Sequence, residues 1–322
     1  MDYRYLGRTG LQVSSLGLGT MTWGRDTDEM DAADQLAEFT GAGGTLIDTA
    51  SSYGDGAAEE LIGSLLRRGL AQRDDLVICT KSGSRWHDGH YWTDASRGNL
   101  LRNLNLSLKR IGTDYVDLWL VQRPDPAVPL EETLGALDWA LRTGRARYVG
   151  LSNYSAWEST RAHCLLQGLT GGLALSGGLT AVEVEYSLLN RQCEAELRPA
   201  AAGLGFGLLA WSPLGRGVLT GKYRNGIPAD SRAASSHLRG FVAPYLNSVA
   251  ADIADAVATA AAGLGAAPLD VALAWVRAQA GVACAILGAR TPAQLHTALA
   301  GASLELPAAI KDALNEVSAP AG

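Results

Sequence analysis

The stretch TLIDTASSYG, Thr45 to Gly54, together with the later run ICTK at Ile78–Lys81, decides how this chain folds. Thr45-Leu46-Ile47 reads as a buried strand that breaks at Asp48 into a small-residue loop ending at Tyr53. Leu76-Val77-Ile78 is a second apolar run, with a single cation, Lys81, at its carboxyl end. Strand interiors bury apolar side chains, so an acid and a lysine at successive strand ends need a reason to be there. If the strands are neighbours, Asp48 pairs with Lys81 and Tyr53 overhangs both. An ammonium beside a phenol favours the phenolate and lowers its pKa from the usual value of about 10. Tyr53 then becomes a usable proton donor, and Asp48 keeps the lysine charged and in place. The competing reading is an ordinary buried ion pair beside a surface tyrosine.

Outward from this core the pattern alternates. Apolar strand candidates are Leu16–Thr20, Thr45–Thr49, Leu76–Lys81, Val116–Gln122, Tyr148–Ser152, Ala181–Tyr186, Phe206–Trp211 and Cys284–Gly288. Helical periodicity lies between them: Leu61, Ile62, Leu65 and Leu66 share one face, Leu101, Leu104, Leu108 and Ile111 the next, and Leu130, Leu134, Leu137 and Leu141 a third. Further helices are expected at Asp28–Thr40, Ala156–Gln167, Gln192–Ala202, Val249–Ala262, Leu269–Gln279 and Pro292–Ala300. Eight strands, each followed by a helix, is the count of an α/β (β/α)8 TIM barrel, here a single domain over residues 1–322. A doubly wound sheet is disfavoured, because Gly17-Leu18-Gly19 lacks the third glycine and the helix that should follow. In a barrel the carboxyl ends of the strands form the active face, which is where Asp48 and Lys81 fall. Tyr3 to Val13 reads as an N-terminal β-hairpin turned at Arg8-Thr9-Gly10. Long loops are expected at Ser82–Ala95, rich in aromatics, at the glycine-rich Gly168–Gly178, read as a mobile insertion, and at Arg216–Tyr245, a natural lid.

Composition bounds the rest. With 47% hydrophobic residues the 322-residue chain can bury a large core, and 27 basic against 33 acidic residues give a net charge of −6. No basic run points to nucleic acid, and no long apolar run or leader points to a membrane, so a soluble cytoplasmic protein is expected. Cys79, Cys164, Cys193 and Cys284 are scattered, which suggests neither a disulfide framework nor a zinc site. No heptad run or apolar helix face specifies an oligomer.

Seven segments stand in order along the chain: YRYLGRTGLQVSSLGLGT at Tyr3–Thr20, IDTASSYG, CTKSG, GLSNYS at Gly150–Ser155, VEYSLLNR at Val184–Arg191, AWSPLGRGVLTGKY at Ala210–Tyr223 and ILGARTPAQL at Ile286–Leu295. In these the chain resembles the aldo-keto reductase superfamily nearly end to end, most of all its bacterial branch similar to potassium-channel β-subunits. The resemblance implies a nicotinamide cofactor, NADPH, lying extended across the barrel top, and a small carbonyl substrate. Carried onto this sequence, Tyr53 is the general acid, Lys81 its tuner and Asp48 the lysine's partner. Ser152 and Asn153 would hold the nicotinamide carboxamide and Trp211 would stack under the ring. Ser212, Leu214, Gly217 and Lys222 line the pyrophosphate path, and Gly288, Arg290 and Gln294 hold the adenosine end. A guanidinium fork at Arg290 suits a 2′-phosphate dianion, favouring NADPH over NADH.

The sequence departs from the family at three places. Gln122, in LVQRPDP, stands where the family has its fourth catalytic residue, a histidine. An amide still donates a hydrogen bond there but exchanges no proton near neutral pH. Glu183 replaces a glutamine that touches the nicotinamide amide, adding a carboxylate that should favour the oxidised ring. Ala298 sits where an asparagine often meets the adenine. His87 and His90 are read as surface or pocket-lining residues, no metal site is expected, and Trp23, Trp86, Tyr91 and Trp92 are read as a flat, apolar substrate pocket. The leading function is therefore an NADPH-dependent reductase of aldehydes or ketones. An enoyl reductase acting on a conjugated C=C bond, or a weakly catalytic NADP(H)-binding regulatory or sensor protein, are the alternatives.

Overall fold

Eight parallel strands close into a barrel in the computed structural model, which describes residues 1–87, 90–169 and 178–320, without the side chains at 86, 87, 90, 91 and 169. A hairpin of β1 (Tyr3–Tyr5) and β2 (Gln12–Ser14) precedes it. The barrel strands are β3 (Leu16–Gly19), β4 (Leu46–Asp48) and β5 (Val77–Ser82), then, after the hairpin β6 (Ser84–His87) and β7 (His90–Thr93), β8 (Val116–Val121), β9 (Ala146–Ser152), β10 (Ala181–Glu185), β11 (Gly207–Trp211) and β12 (Val282–Leu287). Each barrel strand pairs with the next in chain order, and β12 returns to β3 to close the ring. All eight expected strands are present, with ends shifted by a residue or two.

Two apolar layers follow from strand periodicity. Ile47, Ile78, Trp119, Val149, Val182 and Leu208 face outward into the layer shared with the helices. Leu46, Cys79, Leu118, Leu120, Ala181, Leu209 and Cys284 fill the barrel interior, and Leu6 and Val13 of the N-terminal hairpin pack against them. The hairpin thus plugs the end of the barrel opposite the active face. Gly7 makes the fit possible: at φ +62°, a Cβ there would lie 2.4 Å from the Gly205 carbonyl oxygen.

The expected helices form, the longest being Ser248–Leu264, whose start is capped by Asn247 accepting from the Ala250 amide at 2.9 Å. Three differences stand out. The span read as one helix at Gln192–Ala202 is a short 3₁₀ turn, Gln192–Glu194, followed by a helix at Leu197–Leu204. The aromatic stretch read as a loop contains the β6–β7 hairpin. A last helix, Ala308–Val317, was not expected and buries Leu314. Most of the glycine-rich stretch at Gly168–Gly178 lies outside the described residues. Among those described, no single helix is long and apolar enough to cross a membrane.

Candidate active site

The inward register that fills the barrel also builds its upper rim. One step of two residues beyond Leu46 is Asp48, beyond Cys79 is Lys81, beyond Leu120 is Gln122, beyond Ala181 is Glu183, beyond Leu209 is Trp211 and beyond Ile286 is Gly288. These six residues line one cavity of about 360 Å³ at the carboxyl ends of the strands. The cavity wall includes every residue expected in the catalytic and cofactor sets: Tyr53, Ser152, Asn153, Ser212, Leu214, Gly217, Lys222, Arg290 and Gln294 join the strand-end residues.

At the centre lies Lys81, fully buried. Its ammonium donates to Asp48 Oδ1 and, at 3.1 Å, to Glu183 Oε2. The Lys81 Nζ is 5.4 Å from the centre of the Tyr53 ring, within electrostatic reach of the phenol. Burial works against the ammonium, but Asp48 and Glu183 outweigh it and hold the Lys81 pKa well above its ordinary value. Burial, and then the neighbouring Asp48, push the Glu183 carboxyl up to about 8 despite Lys81. One ammonium between two ionised carboxylates would leave a net negative charge in a dry site, and a proton on Glu183 removes it. A carboxyl pushed up in this way carries less of the negative charge expected of it from the sequence as the pH falls through neutrality. Asp48, Cys79 and Glu183 also offer ligand atoms within 4.8 Å of one another, but Lys81 already supplies the cation there. Burial raises the Cys79 thiol well above its usual range, in keeping with a small packed hydrophobe.

Gln122 is held on three sides. Its amide N–H donates to the Ser82 carbonyl at 2.9 Å, its carbonyl accepts from Asn153 Nδ2 at 2.9 Å, and its side-chain Oε1 accepts from Ser52 Oγ at 2.9 Å. Asn153 is a junction: its amide donates to the Glu183 carbonyl, and its Oδ1 accepts from Trp211 Nε1 at 3.1 Å. Asn153 at φ 62° and Ser212 at φ 51° adopt left-handed backbone just past the ends of β9 and β11, the strands on either side of β10, a conformation costly for most side chains and concentrated at working sites.

Cations gather at the far end of the cavity. Burial, with Arg232 and Arg290 nearby, lowers the Lys222 pKa to about 8, and burial with Arg290 lowers Arg232 to about 10. Arg290 donates to the Asp230 carbonyl and Arg232 to the Gly288 carbonyl. Gly217 and Gly288 make the room: a Cβ on either would come within 3.1 Å of Lys222 Nζ or 3.0 Å of an Arg232 nitrogen. Crowded like charges are strained until an anion joins them, so this donor set fits the phosphates of a dinucleotide. Arg232 was not read from the sequence, because it lies in an aperiodic loop and meets Gly288 only across 56 residues.

Over the cavity, the loop after β11 is tied down by Arg216, which makes a two-point pair with Glu185 at 2.7 and 2.8 Å. Its guanidinium lies 4.4 Å from the Phe241 ring centre, and Phe241 stacks on Trp211 with centres 6.4 Å apart. Arg216 and Phe241 line the cavity and were also missed. The expected aromatic substrate pocket is corrected in two places. Trp23 is fully buried, its Nε1 donating to Gln35 at 3.0 Å, and Trp92 is 55% exposed beneath Arg85; neither lines the cavity. The side chains of Trp86, Tyr91, His87 and His90 lie outside the described residues.

Comparison with known proteins agrees with this geometry. The sequence model of the Aldo/keto reductase family matches residues 15–319. The chain is 36% identical over 301 residues to a probable voltage-gated potassium channel subunit beta of Oryza sativa subsp. japonica, covering 92% of this chain and 89% of the relative. It is 35% identical over 306 residues to the L-glyceraldehyde 3-phosphate reductase of Escherichia coli (strain K12), covering 92% and 86%. It is 30% identical over 301 residues to the aldo-keto reductase YhdN of Bacillus subtilis (strain 168), covering 92% and 87%.

Proposed function

Because the chain belongs to the aldo/keto reductase family and is an oxidoreductase of that type, we propose that it reduces an aldehyde or ketone with NADPH, Tyr53 serving as general acid and Gln122 as a neutral hydrogen-bond donor. The observation that carries this reading is a single cavity with a phenol over an ammonium held between two buried carboxyl groups at one end and three crowded cations at the other. NADPH, when bound, would supply the hydride. Lys222, Arg232 and Arg290 would hold its phosphates, with Ser212, Leu214, Gly217, Gly288 and Gln294 along the same wall. Ser152, Asn153, Glu183 and Trp211 would frame the nicotinamide end. The 2′-phosphate is what the Arg290 and Arg232 forks suit, and it is the reason for naming NADPH before NADH.

The chain's own groups account for the proton. As charge builds on the carbonyl oxygen, Tyr53 gives up its phenolic proton to it, and the resulting phenolate faces Lys81, already charged and immobile. The Gln122 amide donates a hydrogen bond to the same oxygen but cannot trade a proton with it. Turnover should follow loss of reduced-cofactor absorbance with a panel of aldehydes, ketones and enones, glyceraldehyde 3-phosphate included because of the E. coli relative. Carbonyl reduction abolished by Tyr53→Phe is the expected result, while reduction of enones alone would replace it with enoyl reductase activity.

A second reading draws on Gln122 in the histidine's place and on the rice relative's name. In it the barrel binds NADP(H) as a regulatory subunit or sensor, and turnover is incidental. Tight NADPH binding with no turnover across the panel would select it.

A further inference from the structure

We infer that Ser52 is a positioning residue that turns the Gln122 amide so that its NH₂, not its oxygen, faces the reacting carbonyl. The inference rests on the reductase reading above and gives the residue before the proton donor a role of its own.

A glutamine side chain has two chemically opposite ends of nearly the same shape. In a cavity built to receive a carbonyl oxygen, the amino end stabilises developing negative charge and the oxygen end repels it. Nothing intrinsic to glutamine selects between them; a neighbour must. The Gln122 backbone is fixed by Ser82 and Asn153, which leaves only the side-chain torsions to settle. Ser52 Oγ is the side-chain group that meets the amide, donating to Oε1 at 2.9 Å. With that oxygen engaged, the NH₂ has no acceptor among the described residues and is the end left for the cavity that Gln122 lines.

Ser52 is well placed to do this. It precedes Tyr53 directly, so the element that carries the phenol also carries the hydroxyl that aims the amide. The loop is pinned on both sides of it: Ser51 N–H donates to the Lys81 carbonyl at 2.9 Å and Tyr53 N–H to the Ala50 carbonyl at 3.1 Å. The proton donor and the neutral donor therefore keep one mutual geometry.

The test is a double-mutant cycle of Ser52→Ala and Gln122→Ala, with Ser52→Thr as the variant that keeps the hydroxyl. Removing the donor itself is expected to lower kcat roughly 10²-fold, and losing only its orientation roughly tenfold. Ser52→Ala should lower kcat while NADPH affinity stays unchanged, Ser52→Thr should restore it, and Ser52→Ala should cost nothing further in the Gln122→Ala background. An equal loss in both backgrounds, or none in the parent, overturns the inference. A second readout needs no turnover: the Gln122 side-chain NH₂ resonances, assigned by their disappearance in Gln122→Ala, should shift and broaden in Ser52→Ala and persist in Ser52→Thr. If the parent protein reduces no carbonyl, the reductase reading fails on its own, and unchanged resonances in Ser52→Ala would still overturn the role of Ser52.

Discussion

The two ends of the cavity handle charge in opposite ways. Around Lys81 the charge is compensated from within: one ammonium, Asp48 and Glu183, all buried, with a proton on Glu183 completing the balance. Around Lys222 it is not: burial first, then Arg232 and Arg290, depress the lysine, and Asp230 offsets them only in part. The first is a device finished before any ligand arrives, as suits groups that must be rigid while a proton moves. The second is strained by design of its ligand, and the strain is relieved only when an anion binds. Reading a site this way separates residues that do chemistry from residues that hold something.

The largest effect that could break this contrast comes from deleting one cation at each end. Lys81→Met leaves two carboxyl groups facing each other without their cation, and removing one partner of a buried pair costs about 3–5 kcal/mol. Denaturant unfolding should show that loss, with turnover down by about 10²–10⁴ as the Tyr53 proton loses its electrostatic support. At the other end the stability effect should vanish or reverse. Arg290→Ala relieves like-charge crowding, so folding stability holds or rises while NADPH affinity falls by about 10–10² and NADH affinity stays put. Titration of both cofactors reads this out. A destabilised Arg290→Ala with unchanged preference between the two cofactors would erase the distinction between the ends.

The two ends were also unequally legible. The eight strands could be read because parallel strands buried on both faces are near-continuous apolar runs, and once their inward register is known Asp48, Lys81 and Gln122 must point the same way. The Lys81–Glu183 pair could not, since it spans 102 residues and depends on how the closed ring brings β10, beyond β8 and β9, across the barrel from β5. Arg232, Arg216 and Phe241 were hidden in a loop without periodicity, where contacts are set by tertiary geometry alone. Trp23 misled in the opposite sense: an aromatic just past a strand end reads as pocket wall, yet a buried indole needs only one acceptor, and Gln35 provides it. The β6–β7 hairpin had a signal that went unused, an Asp-Gly pair between two aromatic, β-forming runs.

A smaller effect sharpens the finished end. Gln122→His restores a group that both donates and exchanges a proton, and should raise turnover of simple aldehydes about tenfold, at the lower edge of general acid–base contributions. Steady-state kinetics on an unbranched aldehyde would check it. No gain, or a loss, would mean that the pocket around Ser52 and Gln122 is built for the amide and that an imidazole does not fit its geometry.

The pH dependence of stability tests the contrast directly, because the two ends should slope in opposite directions. Glu183 has a folded pKa of about 8 against an ordinary 4.5, so between those values the folded state holds a proton that the unfolded state has released. Stability from this group therefore falls as pH rises from 4.5 to about 8, and is flat beyond. Lys222 has a folded pKa of about 8 against an ordinary 10.5, so in that window the unfolded state binds the extra proton and stability rises with pH. Lys81 does not obscure this, because its raised pKa places its own loss above 10.5. Buried Glu59, Cys79 and Cys284 also titrate high and bend the whole-protein curve, which makes difference curves the proper measurement. Parent minus Glu183→Gln should slope downward only below about pH 8, and parent minus Lys222→Met upward only above it. Saturating NADPH should flatten the Lys222 curve, because a bound phosphate supplies the counter-charge, and leave the rest of the comparison to Glu183. A Lys222 slope indifferent to cofactor would show that its crowding is not resolved by the anion, and the far end would lose its reading as a phosphate cradle.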